Sequence, residues 1–318
     1  MKLKIFLLGL LLTGCSIASE LSLQVLGSGG PIADDARASS GYIVRINGSG
    51  RILIDVGGGV FQRFGAAALK MEDLTFIGLS HFHTDHTADF PALMKSAYFT
   101  DRTSSLYLAG PAAGGSFPGL NDWLDALFAQ GKGAYAYLSG YLDGTADPFS
   151  LIPVEIPVAA RQAVTVVETG SYKVLAYPVP HGPVPSLAYK ILLAGKTIVI
   201  SGDQNLSDSG FTEFLKAADL WVMPLPIPEH AGAIARKLHA LPSKIGEVAA
   251  AAGVKSLLLS HFMARSLDNL EQSLALVKKS YQGQIVVAAD LAQWDLMNES
   301  GMALLEQQKV SVNSPGAK

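Results

Sequence analysis

The sequence contains one cysteine, Cys15, among its 318 residues. An intramolecular disulfide framework is therefore excluded, and the fold has to depend on buried apolar side chains. Charged residues are also scarce at 16%, whereas hydrophobic residues make up 49% of the chain. This composition excludes an intrinsically disordered polymer and provides enough apolar material for a large packed core.

The sequence also lacks an excess of basic charge. Its 24 lysines and arginines against 27 acidic residues give a formal charge of −3, and the pI is about 6.2. A nucleic-acid-binding protein usually carries a basic stripe that neutralises phosphates. The composition therefore argues against a nucleic-acid partner.

No Ser/Gly-rich linker, charge run or fixed-period repeat divides the chain. We therefore expect one domain over residues 21–300, followed by a C-terminal tail over 301–318. The sequence leaves open whether two chains pair as a homodimer.

The N-terminal segment has the order of an export signal. Lys2 and Lys4 precede an apolar run that is too short to span a bilayer, since a spanning helix needs about 20 apolar residues. Small residues then lead to Cys15, and the Leu-Thr-Gly-Cys sequence resembles a bacterial lipobox. This resemblance implies a lipoprotein signal peptide over 1–14, an acylated Cys15 and a short tether over 15–20. The alternative is an ordinary signal peptide with an incidental cysteine.

The residue after Cys15 bears on where such a lipoprotein is anchored. Ser16 stands where, in the lipoproteins that this segment resembles, an aspartate favours retention at the inner membrane. We therefore expect export to the bacterial cell envelope, with the lipid bilayer as a partner through acylated Cys15. Outer-membrane anchoring that faces the periplasm is the expected location.

Apolar runs bounded by glycine or proline predict strands, and apolar residues at helical spacing predict helices. The predicted strands are Leu21–Leu26, Gly41–Ile46, Arg51–Val56, Thr75–Leu79, Leu106–Leu108, Tyr172–Val179, Ser186–Leu193, Thr197–Ile200, Leu220–Met223, Ser256–Leu259 and Gln284–Ala288. The predicted helices are Val60–Met71, Ala88–Ala97, Thr212–Ala218, Ser243–Ala252 and Leu267–Ser280. This order suits an α/β fold in which helices cover the outer faces of a sheet-rich core.

Residues 110–160 differ from the rest, with glycine, alanine, proline and aromatic side chains but little clean periodicity. We expect an insertion on the active-site side of the domain. The alternative is a loop that only covers core surface.

Residues 81–86 hold three histidines and one aspartate directly after a predicted strand. Side chains alternate in extended backbone, so His81 and His83 point to one side and can bind one ion. Asp85 and His86 lie beyond the strand end and can turn towards a second ion, and zinc accepts both ligand types. One isolated histidine here would be a hydrogen-bonded core or surface residue, but four such groups crowded together without metal would be costly to bury.

This segment resembles the metal-binding signature of the metallo-β-lactamase superfamily, and later features resemble its ribonuclease Z, phosphodiesterase and arylsulfatase-like branch. The resemblance extends from Leu23 to Asp290 and implies a single-domain, four-layer αβ/βα sandwich. The Gly27–Gly30 turn and the Leu53–Gly58 strand end match what precedes the motif in the family. The resemblance gives Asp55 the role of bracing a metal ligand by hydrogen bonding.

The resemblance places the remaining metal ligands on three further segments. His181 lies in a stretch that prolines stiffen, and Ala188 beyond it replaces a usual glycine. Asp203 corresponds to the carboxylate that can contact both ions, although Gln204 replaces the usual threonine. His261 corresponds to the family's final metal histidine. The alternatives are a surface histidine at the first position and a turn residue at the second.

Two further histidines have open roles. His239 precedes a predicted helix, and in ribonuclease Z-like proteins a histidine at this place lies near the scissile phosphate. Ala240 replaces the Ser or Thr that usually follows, so a structural role is the alternative. His230 lies where that branch has a His-Glu-Ala-Thr-like element, which this sequence lacks. A loop role is expected for His230, with substrate contact as the alternative.

Together these residues predict a binuclear metal-dependent hydrolase that uses a metal-bound hydroxide. The expected cofactors are two divalent ions per chain, zinc by ligand preference, with manganese or iron as alternatives. Asp85 would orient the hydroxide or take its proton, and protonated His239 would protonate the leaving oxygen.

The substrate is less defined than the chemistry. A phosphodiesterase or related ester hydrolase acting on a small-molecule ester is favoured. The alternatives are a ribonuclease Z-like endoribonuclease that processes tRNA 3′ ends, or an arylsulfatase, lactonase or β-lactamase. The export signal and the acidic pI oppose the endoribonuclease. A lipoprotein that only binds metal is opposed because structural zinc usually saturates with four protein ligands and needs no second ion.

Overall fold

The structure is a computed structural model that describes residues 20–145 and 149–297. The predicted signal peptide over 1–14, Cys15 with nearly all of the 15–20 tether, and the 301–318 tail lie outside the described residues. Within the two described ranges, no helix is long and apolar enough to cross a bilayer.

Apolar runs build two seven-stranded sheets, and helices connect their strands. The strands are β1 (Leu21–Gly27), β2 (Gly41–Ile46), β3 (Ser49–Ile54), β4 (Phe76–Gly78), β5 (Leu106–Pro111), β6 (Leu151–Ile156), β7 (Val164–Glu168), β8 (Tyr172–His181), β9 (Val184–Leu193), β10 (Lys196–Ile200), β11 (Leu220–Pro224), β12 (Ser256–Ser260), β13 (Gln284–Val287) and β14 (Gln293–Asp295). The α-helices are α1 (Val60–Ala66), α2 (Thr84–Thr87), α3 (Phe90–Ala97), α4 (Leu120–Phe128), α5 (Gly140–Asp143), α6 (Gly210–Leu215), α7 (Ala233–Leu238), α8 (Pro242–Ala252), α9 (Ala264–Leu267) and α10 (Leu270–Ser280). Short 3-10 turns cover Ala33–Asp35, Met71–Asp73 and Ala136–Leu138.

Each sheet combines antiparallel hairpins with a parallel half. The first sheet has the order β14-β1-β2-β3-β4-β5-β6, and the second has the order β13-β12-β11-β10-β9-β8-β7. Strands β3 to β6 are parallel, as are β10 to β13. The interior strand β11 is buried along its whole length, which explains its unbroken apolar sequence.

The core lies in two parts. Side chains from both sheets, including Ile54 and Leu187, join Ile245 of α8 and Val277 of α10 in the larger cluster. The smaller cluster packs the other face of the first sheet against α1, α3 and α4, with Leu93 of α3 at 0% exposure. The resulting order of helices, sheet, sheet and helices confirms the predicted four-layer αβ/βα sandwich.

The structure contains every strand that the sequence predicts, and adds three more. β6, β7 and β14 were not predicted, and each lies at the edge of a sheet. Edge strands need fewer apolar side chains, and Pro153 interrupts the pattern of β6, whose Ile152 is exposed. The edges are therefore the part of each sheet that apolar patterning describes least well.

Helix ends differ more from the predictions. The predicted helix Val60–Met71 ends at Ala66, because Ala68 adopts a left-handed φ of 52°. The Ala88–Ala97 helix begins only at Phe90, after the separate short helix α2. The prediction Leu267–Ser280 corresponds to two helices, α9 and α10, and Thr212–Ala218 to the earlier α6. Short α5 and α7 were not predicted.

The 110–160 segment contributes to the core rather than only covering it. It contains α4, whose Leu120, Leu124 and Phe128 recur at helical spacing and are buried. It also contains β6, which pairs in parallel with β5. The helical spacing was a usable signal that the surrounding glycines and prolines obscured.

Asp290 ties the turn after β1 to the rest of the domain. Its Oδ1 accepts hydrogen bonds from the backbone N–H (3.0 Å) and hydroxyl (2.8 Å) of Ser28. Its Oδ2 accepts from the backbone N–H of Ala38 (2.8 Å) and from Nε of Arg63 (3.1 Å). The carbonyl oxygen of Ser28 in turn accepts the backbone N–H of Phe262 at 2.9 Å. Asp290 thereby holds the backbone that follows β12.

Candidate metal centre

The predicted ligand residues follow strands that end at the same edge of the sandwich. β3 and β4 are parallel, and β8 runs in the direction of β10 because both are antiparallel to β9. In open α/β sheets, ligands bind in the crevice outside the carboxyl ends of the strands. At these ends lie Asp55 after β3, His81 after β4, His181 at the end of β8, Asp203 after β10 and His261 after β12.

Three imidazoles form the first group. Nε2 of His81 lies 3.0 Å from Nδ1 of His83, and the rings of His81 and His181 have centroids 5.0 Å apart. One nitrogen from each of the three rings lies within 4.8 Å of the others. The carbonyl oxygen of Leu238 lies 2.9 Å from Nδ1 of His181, so the Nδ1 proton bonds outward and Nε2 faces the group.

Asp85, His86 and His261 form the second group. Asp85 and His86 occupy the first turn of α2, which begins directly after His83. Nε2 of His261 lies 3.2 Å from Nε2 of His86 and 3.2 Å from Oδ2 of Asp85. This arrangement requires His261 to adopt a left-handed φ of 57°.

The carboxylate of Asp203 faces both groups. Its Oδ1 lies 3.4 Å from Nε2 of His261 and 3.8 Å from Nε2 of His86. Its Oδ2 lies 3.9 Å from Nε2 of His181. One carboxylate with an oxygen towards each group can contact two neighbouring ions.

The donor set fits divalent metal ions. Nε2 of His181 and Oδ1 of Asp203 are buried and have no hydrogen-bond partner among the described residues. The paired nitrogens of His81 with His83, and of His86 with His261, converge at hydrogen-bond distance. Orphaned buried polar atoms are rare because they cost free energy, and His nitrogen with Asp oxygen is a ligand set for zinc, manganese or iron.

Asp55 and Ser80 orient the imidazoles of His81 and His86 through their Nδ1 atoms. Oδ2 of Asp55 lies 2.7 Å from Nδ1 of His86 and accepts the Ser80 hydroxyl at 2.8 Å. Oδ1 of Asp55 accepts the Ser80 backbone N–H at 2.7 Å, and the Ser80 hydroxyl lies 3.0 Å from Nδ1 of His81. Sequence reasoning missed Ser80. Its place directly before the first histidine, pointing to the opposite side, was the available signal.

The charges of the group determine where protons lie before metal binds. Burial would lower the pKa of His86, but the carboxylates of Asp55, Asp85 and Asp203 outweigh burial and raise it to about 10. Burial would raise the pKa of Asp85, but His86 and His261 outweigh burial and lower it to about 2. Burial and the neighbouring His86 lower the pKa of His81. The metal-free group therefore holds a proton on His86, which a metal ion must displace.

The His239 side chain, at the C-terminal end of α7, lies beside Asp203. Its Nδ1 lies 3.7 Å from Oδ2 of Asp203 and has no hydrogen-bond partner among the described residues. Burial, only partly opposed by Asp203, lowers the pKa of His239 to about 4. The imidazole is therefore neutral at neutral pH, whereas the sequence led us to expect the protonated form. His230 is exposed and lies outside the ligand groups.

A cavity of about 530 Å³ opens above the ligands. Its wall includes His239, the apolar side chains of Phe82, Leu238 and Met263, and the exposed Arg265. Phe82 stacks on Trp123 of α4 with ring centroids 5.0 Å apart, so the 110–160 segment supports the wall. Sequence reasoning missed this wall because its members come from separate segments.

Comparisons with known proteins agree with this geometry. The family described as "Beta-lactamase superfamily domain" matches residues 50–262. Ribonuclease Z of Mycobacterium bovis (strain BCG / Pasteur 1173P2) is 28% identical over 290 residues, covering 85% of this chain and 96% of that protein. Human tRNase Z, short form, superposes with a TM-score of 0.66 at 19% identity, covering 86% of this chain and 98% of that chain. The metallo-beta-lactamase fold protein YhfI from Bacillus subtilis superposes with a TM-score of 0.65 at 21% identity, covering 87% and 99%.

We predict that the purified chain, loaded with zinc and dialysed, retains close to two ions, because two ligand groups lie on either side of the Asp203 carboxylate. His83→Ala should lower the metal content, whereas His230→Ala should not, since His230 is exposed and remote from the ligands. Elemental analysis measures the content, and uptake should release protons because His86 must lose its own. A value near zero would contradict the whole site, and a value near one would contradict only its binuclear form.

Proposed function

This chain belongs to the beta-lactamase superfamily, and from that premise we propose that it hydrolyses a phosphodiester with two divalent metal ions. It is a metal-dependent hydrolase of the metallo-β-lactamase fold. The observation that carries the proposal is that two ligand groups, His239 and Arg265 border one cavity. A phosphodiester has a negative charge to bind and a leaving oxygen to stabilise, and this set of side chains suits both.

Each ion would have its own ligands, and zinc is proposed from their chemistry. The first would be held by His81, His83 and His181, the second by Asp85, His86 and His261, with Asp203 between them. When bound, two such ions acidify a water and polarise a phosphoryl oxygen.

The chain's own side chains would orient the reactants. Asp85 is ionised over the neutral pH range, because its pKa is about 2, so it can accept a hydrogen bond from the attacking water. Neutral His239 can donate its N–H as a hydrogen bond to the leaving oxygen. Arg265 has its Nε held by the carbonyl oxygen of Pro226 at 2.9 Å, which fixes the guanidinium at the cavity rim. There it can attract the phosphate.

A small phosphodiester is the proposed substrate class, because the cavity of about 530 Å³ accommodates one diester with a modest attached group. The second candidate is endonucleolytic cleavage of RNA. The identity of 28% with a mycobacterial ribonuclease Z, over 96% of that protein, favours it and weighs against our expectation that nucleic acid is no partner.

A substrate panel tests the proposal. We expect the zinc-loaded chain to hydrolyse an aryl phosphodiester with higher kcat/KM than an aryl sulfate, a lactone or a β-lactam, and a chelator to remove the activity. Cleavage of a precursor tRNA at higher kcat/KM than the aryl phosphodiester would select the second candidate. A preference for the sulfate, the lactone or the β-lactam would overturn phosphodiester hydrolysis.

We predict that His239→Ala retains both metal ions yet lowers kcat. His239 lies close enough to His181 and Asp203 to share an ion with them, but the two metal sets proposed above are complete without it. A hydrogen bond to an oxygen that gains negative charge in the transition state is typically worth about 10²–10³-fold, so the loss should be large for an alkyl leaving group, whose oxygen gains the most charge. It should be small for nitrophenol, whose ring disperses that charge. Equal losses on both substrates would remove the donor role, and a fall in metal content would make His239 a ligand instead.

We also propose that the chain is exported and anchored through acylated Cys15, on the strength of the lipobox-like Leu-Thr-Gly-Cys sequence. Cys15→Ala should move the protein from the membrane fraction to the soluble fraction, since several acyl chains together give stable attachment. Metabolic labelling with a fatty acid and fractionation measure this. A wild-type protein that is unlabelled and soluble would refute the anchor without affecting the hydrolase proposal.

A further inference from the structure

An ammonium group surrounded by three aromatic rings lies at the C-terminal end of α3. Nζ of Lys95 is 4.9, 5.2 and 5.3 Å from the ring centroids of Tyr98, Phe99 and Tyr137. Phe99 is 80% exposed and Tyr137 is 61% exposed, so two of the three rings form one exposed apolar patch with the lysine stem. We name these four residues the aromatic patch.

The aromatic patch lies at the end of the sandwich that is remote from the metal centre. α3 starts beside the metal-binding segment, since the N–H of Asp89 donates to the carbonyl of Val56, and it leads away from there to Phe99. Beyond Phe99, the N–H of Asp101 contacts Oε1 of Glu72 at 3.4 Å. Glu72 precedes β4, which runs towards the metal centre.

The first described residue lies at this same end. Glu20 precedes β1, and its carbonyl accepts the N–H of Asn47 at 2.7 Å, in the turn between β2 and β3. β3 and β4 are parallel, so this turn lies beside the start of β4. Asn47 also lines one cavity together with Arg102, three residues beyond Phe99. The chain therefore enters the domain at the end that carries the aromatic patch.

We propose that the aromatic patch rests on the surface of the lipid bilayer that holds the acylated Cys15. The inference depends on the anchoring proposed above. The five-residue step from Cys15 to Glu20 spans at most roughly 17 Å when fully extended, which keeps this end of the domain beside the bilayer.

The chemistry of the aromatic patch suits the interface between lipid and water. Tyrosine rings favour the headgroup level, where the ring is in an apolar environment and the hydroxyl stays hydrated. Phe99 would lose its contact with water, and the flexible stem of Lys95 lets its ammonium reach lipid phosphates. With this end on the bilayer, the metal centre at the opposite end faces the aqueous phase, and substrate approaches from there.

A fluorescent label at position 99 tests the contact. Cys15 is the only cysteine in the sequence and acylation consumes its thiol, so Phe99→Cys provides a single reactive thiol in the full, acylated chain. The matched control is Ile234→Cys on α7, since Ile234 is 81% exposed and lies near the metal centre. Each labelled chain is reconstituted into vesicles of phosphatidylethanolamine and phosphatidylglycerol with a spin-labelled lipid as quencher.

We expect the label at 99 to be quenched at least several-fold more than the label at 234. Hydrogen exchange on the unsubstituted chain should show slower exchange around Phe99 on vesicles than in detergent. Equal quenching, together with unchanged exchange, in a chain whose Cys15 carries fatty acid would overturn the patch contact and leave the anchor intact. A chain without fatty acid on Cys15 would overturn both, while hydrolysis measured in detergent tests the catalytic proposal separately.

Discussion

The burial of several imidazoles and carboxylates at one edge of two sheets is the constraint on which the rest of the structure depends. Buried polar groups are stable there where a partner holds them or where they can bind a ligand, and Asp55 holds the first of them through Ser80 and His86. The geometry is tight enough to restrict the backbone: a side chain at Gly57 would place its Cβ 2.1 Å from the carbonyl oxygen of Asp85. At Gly30, a Cβ would come within 2.9 Å of the His261 ring.

The balance between carboxylate and imidazole charges determines the protonation of the groups at this edge. The carboxylates of Asp85 and Asp203 lie among imidazoles, which stabilise their ionised form. The pKa of each carboxyl lies below its usual range because the histidine charges outweigh burial. A proton on His86 partly balances those carboxylates before metal binds, since Asp55, Asp85 and Asp203 outweigh burial and raise the pKa of that imidazole to about 10. Metal ions bound at this position would replace proton charge with metal charge.

The central strands and the ligand set could be predicted from the sequence because both depend on local patterns. β11 is buried on both faces and reads as one apolar run, and residues 81–86 carry their ligands at fixed spacing. The edge strand β6 could not be predicted because Pro153 and exposed Ile152 break its pattern, and its pairing with β5 is non-local. The cavity wall could not be predicted either, since the stacking of Phe82 on Trp123 joins segments about forty residues apart.

The cavity surroundings also bear on the choice between a small diester and RNA. A polynucleotide extends beyond one phosphate, and its further phosphates need cations that are free to meet them. On α7, beside the cavity, Arg236 directs its Nε to the carbonyl oxygen of Ala231 at 2.6 Å and its Nη2 to that of Glu229 at 3.2 Å. That guanidinium fixes the loop before α7 instead of extending over the cavity, while Arg265 lies at the rim itself. Among the described residues that line the cavity, Arg265 is the arginine or lysine that can meet a phosphate. A single such cation in the lining suits a small diester, whereas the relatives' name favours RNA.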